Sequence, residues 1–238
     1  MTEALFRADP YLREAEARVT AHTPEGGIVL DRTVFYPLGG GQPGDSGSLA
    51  WDGGTLAIAT TVKGDGASIV LVPAEPARLP PVGATVRQEL DWERRHRHMR
   101  MHTGLHLLSV VLPFGVTGGS IAADRGRLDF DMPEAPGDRD AVEAALNALV
   151  DRDLPVQEDW ITEADLDARP ELVKTMSVSP PRGQGRVRLI RIGAGAEQVD
   201  LQPCGGTHVA RTGEIGALKL GKIENKGKQN RRVTLLFG

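Results

Sequence analysis

The sequence predicts an α+β chain in two parts. A small N-terminal β-barrel covers residues 1–90, and a mixed α+β domain with a metal site covers 91–238. Three observations predict this. Residues 1–90 hold short alternating runs at regular spacing, broken by turn chemistry, which is the pattern of a small barrel. Residues 91–238 mix helical and strand patterns in no strict βαβ rhythm. Two pairs of His and Cys residues, far apart in the chain, stand at ligand spacing.

In the N-terminal part the strand candidates are Ala15–Ala21, Gly27–Asp31, Thr55–Thr61, Ser68–Val72 and Ala84–Leu90. Gly26-Gly27, Asp52-Gly53-Gly54, Gly64-Asp65-Gly66 and Pro80-Pro81 punctuate them. The segment from Phe35 to Gly47 (FYPLGGGQPGDSG) is too rich in Gly and Pro for a regular element and is expected to be a shaped loop.

In the C-terminal part Asp91–Leu112 is predicted as a long helix ended by Pro113. Asp138–Val150 places Val142, Leu146, Leu149 and Val150 on one face behind an N-terminal Asp. Thr162–Ala168 is a short helix with Thr162 and Asp165 in capping-box spacing, stopped by Pro170. Strands are predicted over Arg127–Asp131, Val156–Ile161, Arg186–Ile192, Gln198–Leu201, Ile215–Ile223 and Arg232–Phe237. Val116–Ser120, with two glycines, is read as a turn.

Composition excludes several classes. Hydrophobic residues are 40% and charged residues 25%, which is globular rather than disordered. The net charge of −4 is wrong for a protein that coats DNA. The longest apolar stretch, Leu107–Val116, is interrupted by Ser109, Pro113 and Gly115 and is about half a membrane span. The N-terminus lacks the apolar core of a secretory signal. A single cysteine, Cys204, rules out an internal disulfide, so the expected compartment is the cytoplasm.

Charge is segregated along the chain. Residues 120–173 carry 5 Lys and Arg against 15 Asp and Glu, whereas 174–238 carry 12 against 4. The basic stretches 182–191 and 219–232 are candidate phosphate contacts. A second basic turn, Arg94 to Arg100, includes His96 and His98 and is read as a surface or groove suited to phosphate or ribose. The competing reading of every such run is a solvated face of paired charges.

His102 and His106 are four apart on the predicted helix and so share a face. The segment between them lacks the Glu of an HExxH metalloprotease, which argues against a peptidase. Ninety-eight residues on, Cys204 and His208 flank Gly205, Gly206 and Thr207. The glycines disfavour helix and allow a tight turn that folds both ligands toward one point. His102, His106, Cys204 and His208 form a plausible tetrahedral Zn²⁺ set. The long gap excludes a zinc finger, so the tertiary fold must assemble the site. The bland reading is two half-exposed histidines and one small buried cysteine.

At these residues the sequence resembles a known family. His102-Thr103-Gly104-Leu105-His106-Leu107-Leu108 and the run from Cys204 to Gly216 (CGGTHVARTGEIG) resemble the two zinc motifs of the alanyl-tRNA synthetase editing domain. The loop Phe35–Asp45 is similar to the glycine-rich loop that precedes that domain, with Gly39–Gly41 and Gln42 in matching positions. The chain has no room for a synthetase core and looks like a free-standing alanyl-tRNA editing protein of the AlaX type, in its medium form. The resemblance implies a zinc-dependent hydrolase acting in trans on mischarged tRNA(Ala), chiefly seryl-tRNA(Ala), with glycyl-tRNA(Ala) as a second substrate. It also implies His102, His106, Cys204 and His208 as zinc ligands. There is one departure. Editing domains often carry a Gln two residues before a Gly-Ser pair, and here that position is Thr117.

The implied reaction is ester hydrolysis. Zinc would polarise the carbonyl or lower the pKa of a water to about 7. Either role needs an open coordination position, whereas four protein ligands mark a closed site. The open version is preferred here, and zinc as a mere anchor for the substrate is the alternative. The N–H groups of Gly205 and Gly206 are candidate oxyanion donors. Alanine is smaller than serine, so bulk cannot exclude it, and rejection must rest on a polar group left unpaired. Thr117, Ser120, Thr103 and Thr207 are the available hydroxyls, although a purely turn-shaping role is the favoured reading of Thr117 and Ser120. Two other functions stay open: a non-catalytic tRNA- or synthetase-binding module with a structural zinc, and a hydrolase for another amino acid or tRNA.

Overall fold

The computed structural model describes residues 1–176 and 185–238. It divides into two compact units, Met1–His96 and Arg97–Gly238, with the boundary in the first turns of a long helix.

The first unit runs β1 (Glu3–Ala4), α1 (Leu5–Ala8), β2 (Glu14–His22), β3 (Ile28–Leu30), β4 (Arg32–Thr33), β5 (Gly47–Trp51), β6 (Gly54–Lys63), β7 (Ile69–Pro73) and β8 (Thr85–Leu90). Six strands close a barrel in the order β2-β3-β7-β6-β5-β8, and β1 pairs in parallel with β4. Alternation sets the inward side. On β8, Val86, Gln88 and Leu90 are buried while Thr85, Arg87 and Glu89 are exposed. Val19, Ile28, Leu30, Leu49, Ile58 and Leu71 fill the interior. Gln88 is tolerated there because Thr33 Oγ1 donates to its Oε1 at 2.6 Å. The sequence reading missed β5, because small residues in GSLAW hide its alternation and only Leu49 is buried. Closure needs this strand, since it bridges β6 and β8.

The segment Phe35–Gly47 is the expected shaped loop. Gly39 and Gln42 exchange backbone hydrogen bonds of 3.1 and 3.0 Å around Gly40 and Gly41, whose φ values are 58° and 81°. Positive φ at both central residues is a two-residue hairpin turn that glycines adopt without strain. The base of the loop is pinned by Asp45. Its Oδ2 accepts from Tyr36 N at 2.6 Å, and its carboxylate pairs with Arg95, both side chains being fully buried.

The helix that follows, α2 (Trp92–Val111), begins after Asp91, whose Oδ1 accepts from Arg94 N at 3.2 Å. The second unit then holds β9 (Val116–Ile121), β10 (Arg125–Asp131), α3 (Arg139–Asp151), β11 (Val156–Thr162), α4 (Glu163–Asp167), β12 (Arg186–Ile192), β13 (Asp200–Pro203), β14 (Leu218–Gly227) and β15 (Asn230–Phe237). One sheet has the order β14-β15-β10-β9 and another β11-β12-β13. Asp138 caps α3 by accepting from Ala141 N, and both halves of the Thr162/Asp165 capping box are formed at α4. Helix α2 lies on the first sheet. A Cβ on Gly126 of β10 would stand 2.8 Å from Met101 Cγ, so the absent side chain permits this approach.

Two expectations are corrected in this unit. Val116–Ile121 is a strand rather than a turn, because its N–H and C=O groups are claimed by β10. Residues 212–215, the last of which was assigned to a strand, form a short 3-10 helix, and β14 starts only at Leu218.

Candidate metal centre

Helix α2 sets the first ligand pair. His102 and His106 lie one turn apart, both buried, with ring centroids 5.3 Å apart. The second pair follows β13 directly. Cys204 N donates to Arg188 O at 3.2 Å as the chain leaves the sheet, and Cys204-Gly205-Gly206-Thr207-His208 then turns back toward the helix. The His208 ring reaches 4.2 Å from that of His102 and 4.7 Å from that of His106. One ligand atom from each of His102, His106, Cys204 and His208 lies within 4.8 Å of all the others.

The donor set fits a metal ion. Bonds of about 2.0–2.3 Å in a tetrahedral zinc site place neighbouring donors roughly 3.3–3.6 Å apart. Cys204 Sγ stands 3.4 Å from His102 Nε2 and 3.2 Å from His208 Nε2. The electrostatics favour ligand-competent forms at two of the four. Burial by itself would raise the Cys204 thiol, yet His102 and His208 beside it hold it well below its ordinary value. Burial, with His102 next, pushes His208 down to about 3, so its imidazole is neutral. His106 goes the other way. Burial opposes its protonation, but the hydrogen bonds and charges of Asp200 and Cys204 outweigh that and lift it to about 9.

A layer of partners surrounds the ligands. Asp200 Oδ2 lies 2.9 Å from His106 Nδ1, and Lys174 Nζ donates to Asp200 Oδ1 at 2.7 Å. Thr103 Oγ1 donates to Met99 O at 2.9 Å and accepts from Val209 N at 3.3 Å. Its hydroxyl proton is therefore spent, and His208 Nδ1, 3.2 Å away, must be the donor to it. That leaves His208 Nε2 bare toward the cluster. Arg188 Nη1 donates at 3.0 Å to the carbonyls of both Cys204 and Gly206, while its Nε pairs with Glu158 at 2.7 Å.

Sequence reasoning missed Asp200, Lys174 and Arg188 in these roles. A signal existed for Asp200. On a half-buried strand, polar Asp200 and Gln202 share the inward side, which calls for a buried partner. Nothing in the sequence marked Arg188, whose clamp depends on the pairing of β12 with β13.

Other expected site residues fall as follows. Gly205 is exposed and an added Cβ would meet nothing within 4 Å, and Gly206 is buried. Thr117 on β9 donates to Asp129 O at 3.1 Å and accepts from Asn230 Nδ2 at 2.8 Å. Thr103 has one proton and two lone pairs, all engaged, so it drops out as a substrate-reading hydroxyl.

The basic surfaces need correction. Arg95 is wholly buried, Arg94 donates to Gly44 O at 2.8 Å, and Arg100 donates to Ile215 O at 2.9 Å. His98 is buried, and His96 stacks on Trp92 at 5.2 Å. Only Arg97 of that turn's arginines is exposed. Arg182 lies outside the described residues, and Arg188 serves the Cys204 turn. On the C-terminal hairpin Arg232 pairs with Asp129 at 2.8 Å, and Arg231 donates to Asn225 Oδ1 and to the carbonyls of Gly227, Asn230 and Pro133. Lys219, Lys222, Lys226 and Lys228 remain exposed.

Comparison with known proteins places this architecture. Residues 187–234 match the threonyl and alanyl tRNA synthetase second additional domain, and residues 8–94 match class II (A) tRNA synthetases. An alanyl-tRNA editing protein AlaX-M from Methanosarcina acetivorans is 36% identical over 98% of this chain and 98% of its own length. The chain belongs to the AlaX family of alanyl-tRNA editing proteins. The longer AlaX-L of Pyrococcus horikoshii is 34% identical over 100% of this chain and 58% of its own length. The AlaX likeness extends to an alanine–tRNA ligase of Pyrobaculum arsenaticum, 34% identical over 94% of this chain and 25% of the ligase. No helix among the described residues is long and apolar enough to cross a membrane.

Proposed function

We propose that this chain is a trans-editing aminoacyl-tRNA hydrolase that removes serine, and secondarily glycine, from mischarged tRNA(Ala) in the cytoplasm. The convergence of His102, His106, Cys204 and His208 carries the reading, because three buried imidazoles and a half-buried thiol within 4.8 Å of one another make a donor set suited to an ion. Family membership supplies the substrate class. The mixture of imidazole and thiolate donors favours Zn²⁺. With one of the four side chains off the ion, as the open version requires, a bound ion would supply Lewis-acid polarisation of the ester carbonyl.

The chain's own residues do the rest. Arg188 draws the carbonyls of Cys204 and Gly206 to one side. In a trans peptide the N–H opposes the carbonyl, so the N–H groups of Gly205 and Thr207 face away from Arg188. The Gly205 N–H, so oriented and beside open space, and the Gly206 N–H, on a peptide that Arg188 does not hold, are the proposed oxyanion donors. Thr117 is the proposed contact for the seryl hydroxyl, with Oγ1 pre-oriented by its bond to Asp129 O. A seryl hydroxyl would add a hydrogen bond to Thr117 that an alanyl methyl cannot make, which favours the error over the correct product. The exposed lysines of the β14–β15 hairpin are the proposed phosphate contacts.

The test is a panel of tRNAs charged with serine, glycine or alanine, incubated with wild type and Cys204→Ala, with zinc content measured in parallel. Wild type is expected to hold one zinc, to deacylate seryl-tRNA(Ala) fastest and to spare alanyl-tRNA(Ala). The variant is expected to lose both zinc and activity. Zinc binding and tRNA binding without hydrolysis of any member would instead establish the binding-module function.

A further inference from the structure

Asp200 is a buried anion whose side chain is 0% exposed. Three donors converge on it: His106 Nδ1 at 2.9 Å, Gln202 Nε2 at 2.7 Å and Lys174 Nζ at 2.7 Å. An ionised carboxylate only accepts hydrogen bonds, so the proton between it and His106 sits on Nδ1. With Nδ1 holding its proton against Asp200, Nε2 is the nitrogen left for an ion, which on binding takes the place of the Nε2 proton. The supports of Asp200 tie back to the same helix. Gln202 Nε2 also donates to Ser109 Oγ at 3.3 Å, and Ser109 Oγ donates to His106 O at 2.8 Å. Lys174 neutralises a carboxylate that would otherwise be costly to bury.

We propose that Asp200 is a positioning residue of the metal centre, orienting His106 so that Nε2 faces the ion, and that Lys174 holds Asp200 in that pose. This rests on the metal reading of the four-residue cluster. A mere structural tie between β13 and the segment carrying Lys174 would affect folding and leave ion binding alone. Outer partners of metal-bound imidazoles act differently, fixing tautomer and ring orientation and raising ligand basicity.

The experiment uses the full chain loaded with zinc. Zinc affinity is read by chelator competition, and the His106 Nδ1 proton by ¹⁵N-resolved NMR, with circular dichroism to follow the fold. Wild type is expected to bind one zinc with His106 protonated at Nδ1. Asp200→Ala should weaken zinc on the order of 10–100-fold and shift or abolish that proton signal. Asp200→Asn should fall between, because one amide oxygen still accepts from Nδ1–H. Lys174→Met should lose less than Asp200→Ala. Folded Asp200→Ala with wild-type affinity and an unchanged Nδ1 signal overturns the proposal. Should that variant fail to fold, wild-type affinity in both Asp200→Asn and Lys174→Met overturns it equally. Absence of zinc binding by wild type would refute the metal reading itself, a result distinct from either of these.

Discussion

Removing Asp45 should be among the most damaging single changes outside the metal centre. Asp45 and Arg95 are 1% and 0% exposed. Arg95 Nε donates to Asp45 Oδ2 at 2.9 Å and to Oδ1 at 3.1 Å, and its Nη2 also reaches Oδ2. The guanidinium further donates to Pro10 O at 3.0 Å and Val34 O at 2.7 Å. Asp45→Ala leaves a buried cation without its counter-charge and removes the hydrogen bond from Tyr36 N, at a cost of about 3–5 kcal/mol. Arg95→Met leaves a buried carboxylate instead and should cost a similar amount. The double variant removes both charges. What is lost is then hydrogen bonds between neutral groups rather than a buried charge, so its cost should fall well below the sum of the singles. Urea unfolding, followed by the fluorescence of Trp51 and Trp92 in the same unit, measures all three. A loss under about 1 kcal/mol in Asp45→Ala, or strict additivity in the double variant, would refute the argument that charge burial anchors this loop.

The remaining predictions concern surface and centre. Lys219, Lys222, Lys226 and Lys228 changed together to Ala should weaken tRNA binding and flatten its salt dependence by up to about four phosphate contacts, as read from binding isotherms across a salt titration. Arg232→Ala should behave differently and lower stability, because its guanidinium is bound to Asp129. Asp129 is held below the ordinary carboxylate range by its hydrogen bond to Arg232 first; burial opposes this next, and Arg127 adds to the lowering. Its folded pKa is the lower one, so its contribution is present above the unfolded pKa and is lost as pH falls through the folded value. Asp129→Asn should therefore cost about 1 kcal/mol at pH 7 and flatten the stability profile below about pH 4, measured by thermal unfolding at several pH values. Arg188→Met should release the Cys204 and Gly206 carbonyls and weaken zinc by about tenfold, with chelator competition as the readout.

The ligand residues were legible because their chemistry is local. Four-residue spacing on a helix fixes a shared face, and Gly205-Gly206 between Cys204 and His208 fixes a turn, whatever the rest of the chain does. The caps at Asp138 and Thr162 were legible for the same reason, since each satisfies backbone groups within three residues. Strand β9 was hidden because Gly118 and Gly119 carry no alternation, and only pairing with β10 makes it a strand. The fate of the arginines was hidden too. Sequence shows a charge but not its partner, and the register that sets Arg188 beside Cys204, or Arg232 beside Asp129, is a long-range property. The same holds for Asp200 and Lys174, which reach His106 and each other only when β13 and the segment at residue 174 meet α2. Sequence by itself thus determined which groups are able to hold an ion, because ligand type and local spacing are covalent facts. Tertiary structure decided which charges are spent inside the protein and which face solvent, because burial and pairing exist only once distant segments are packed together.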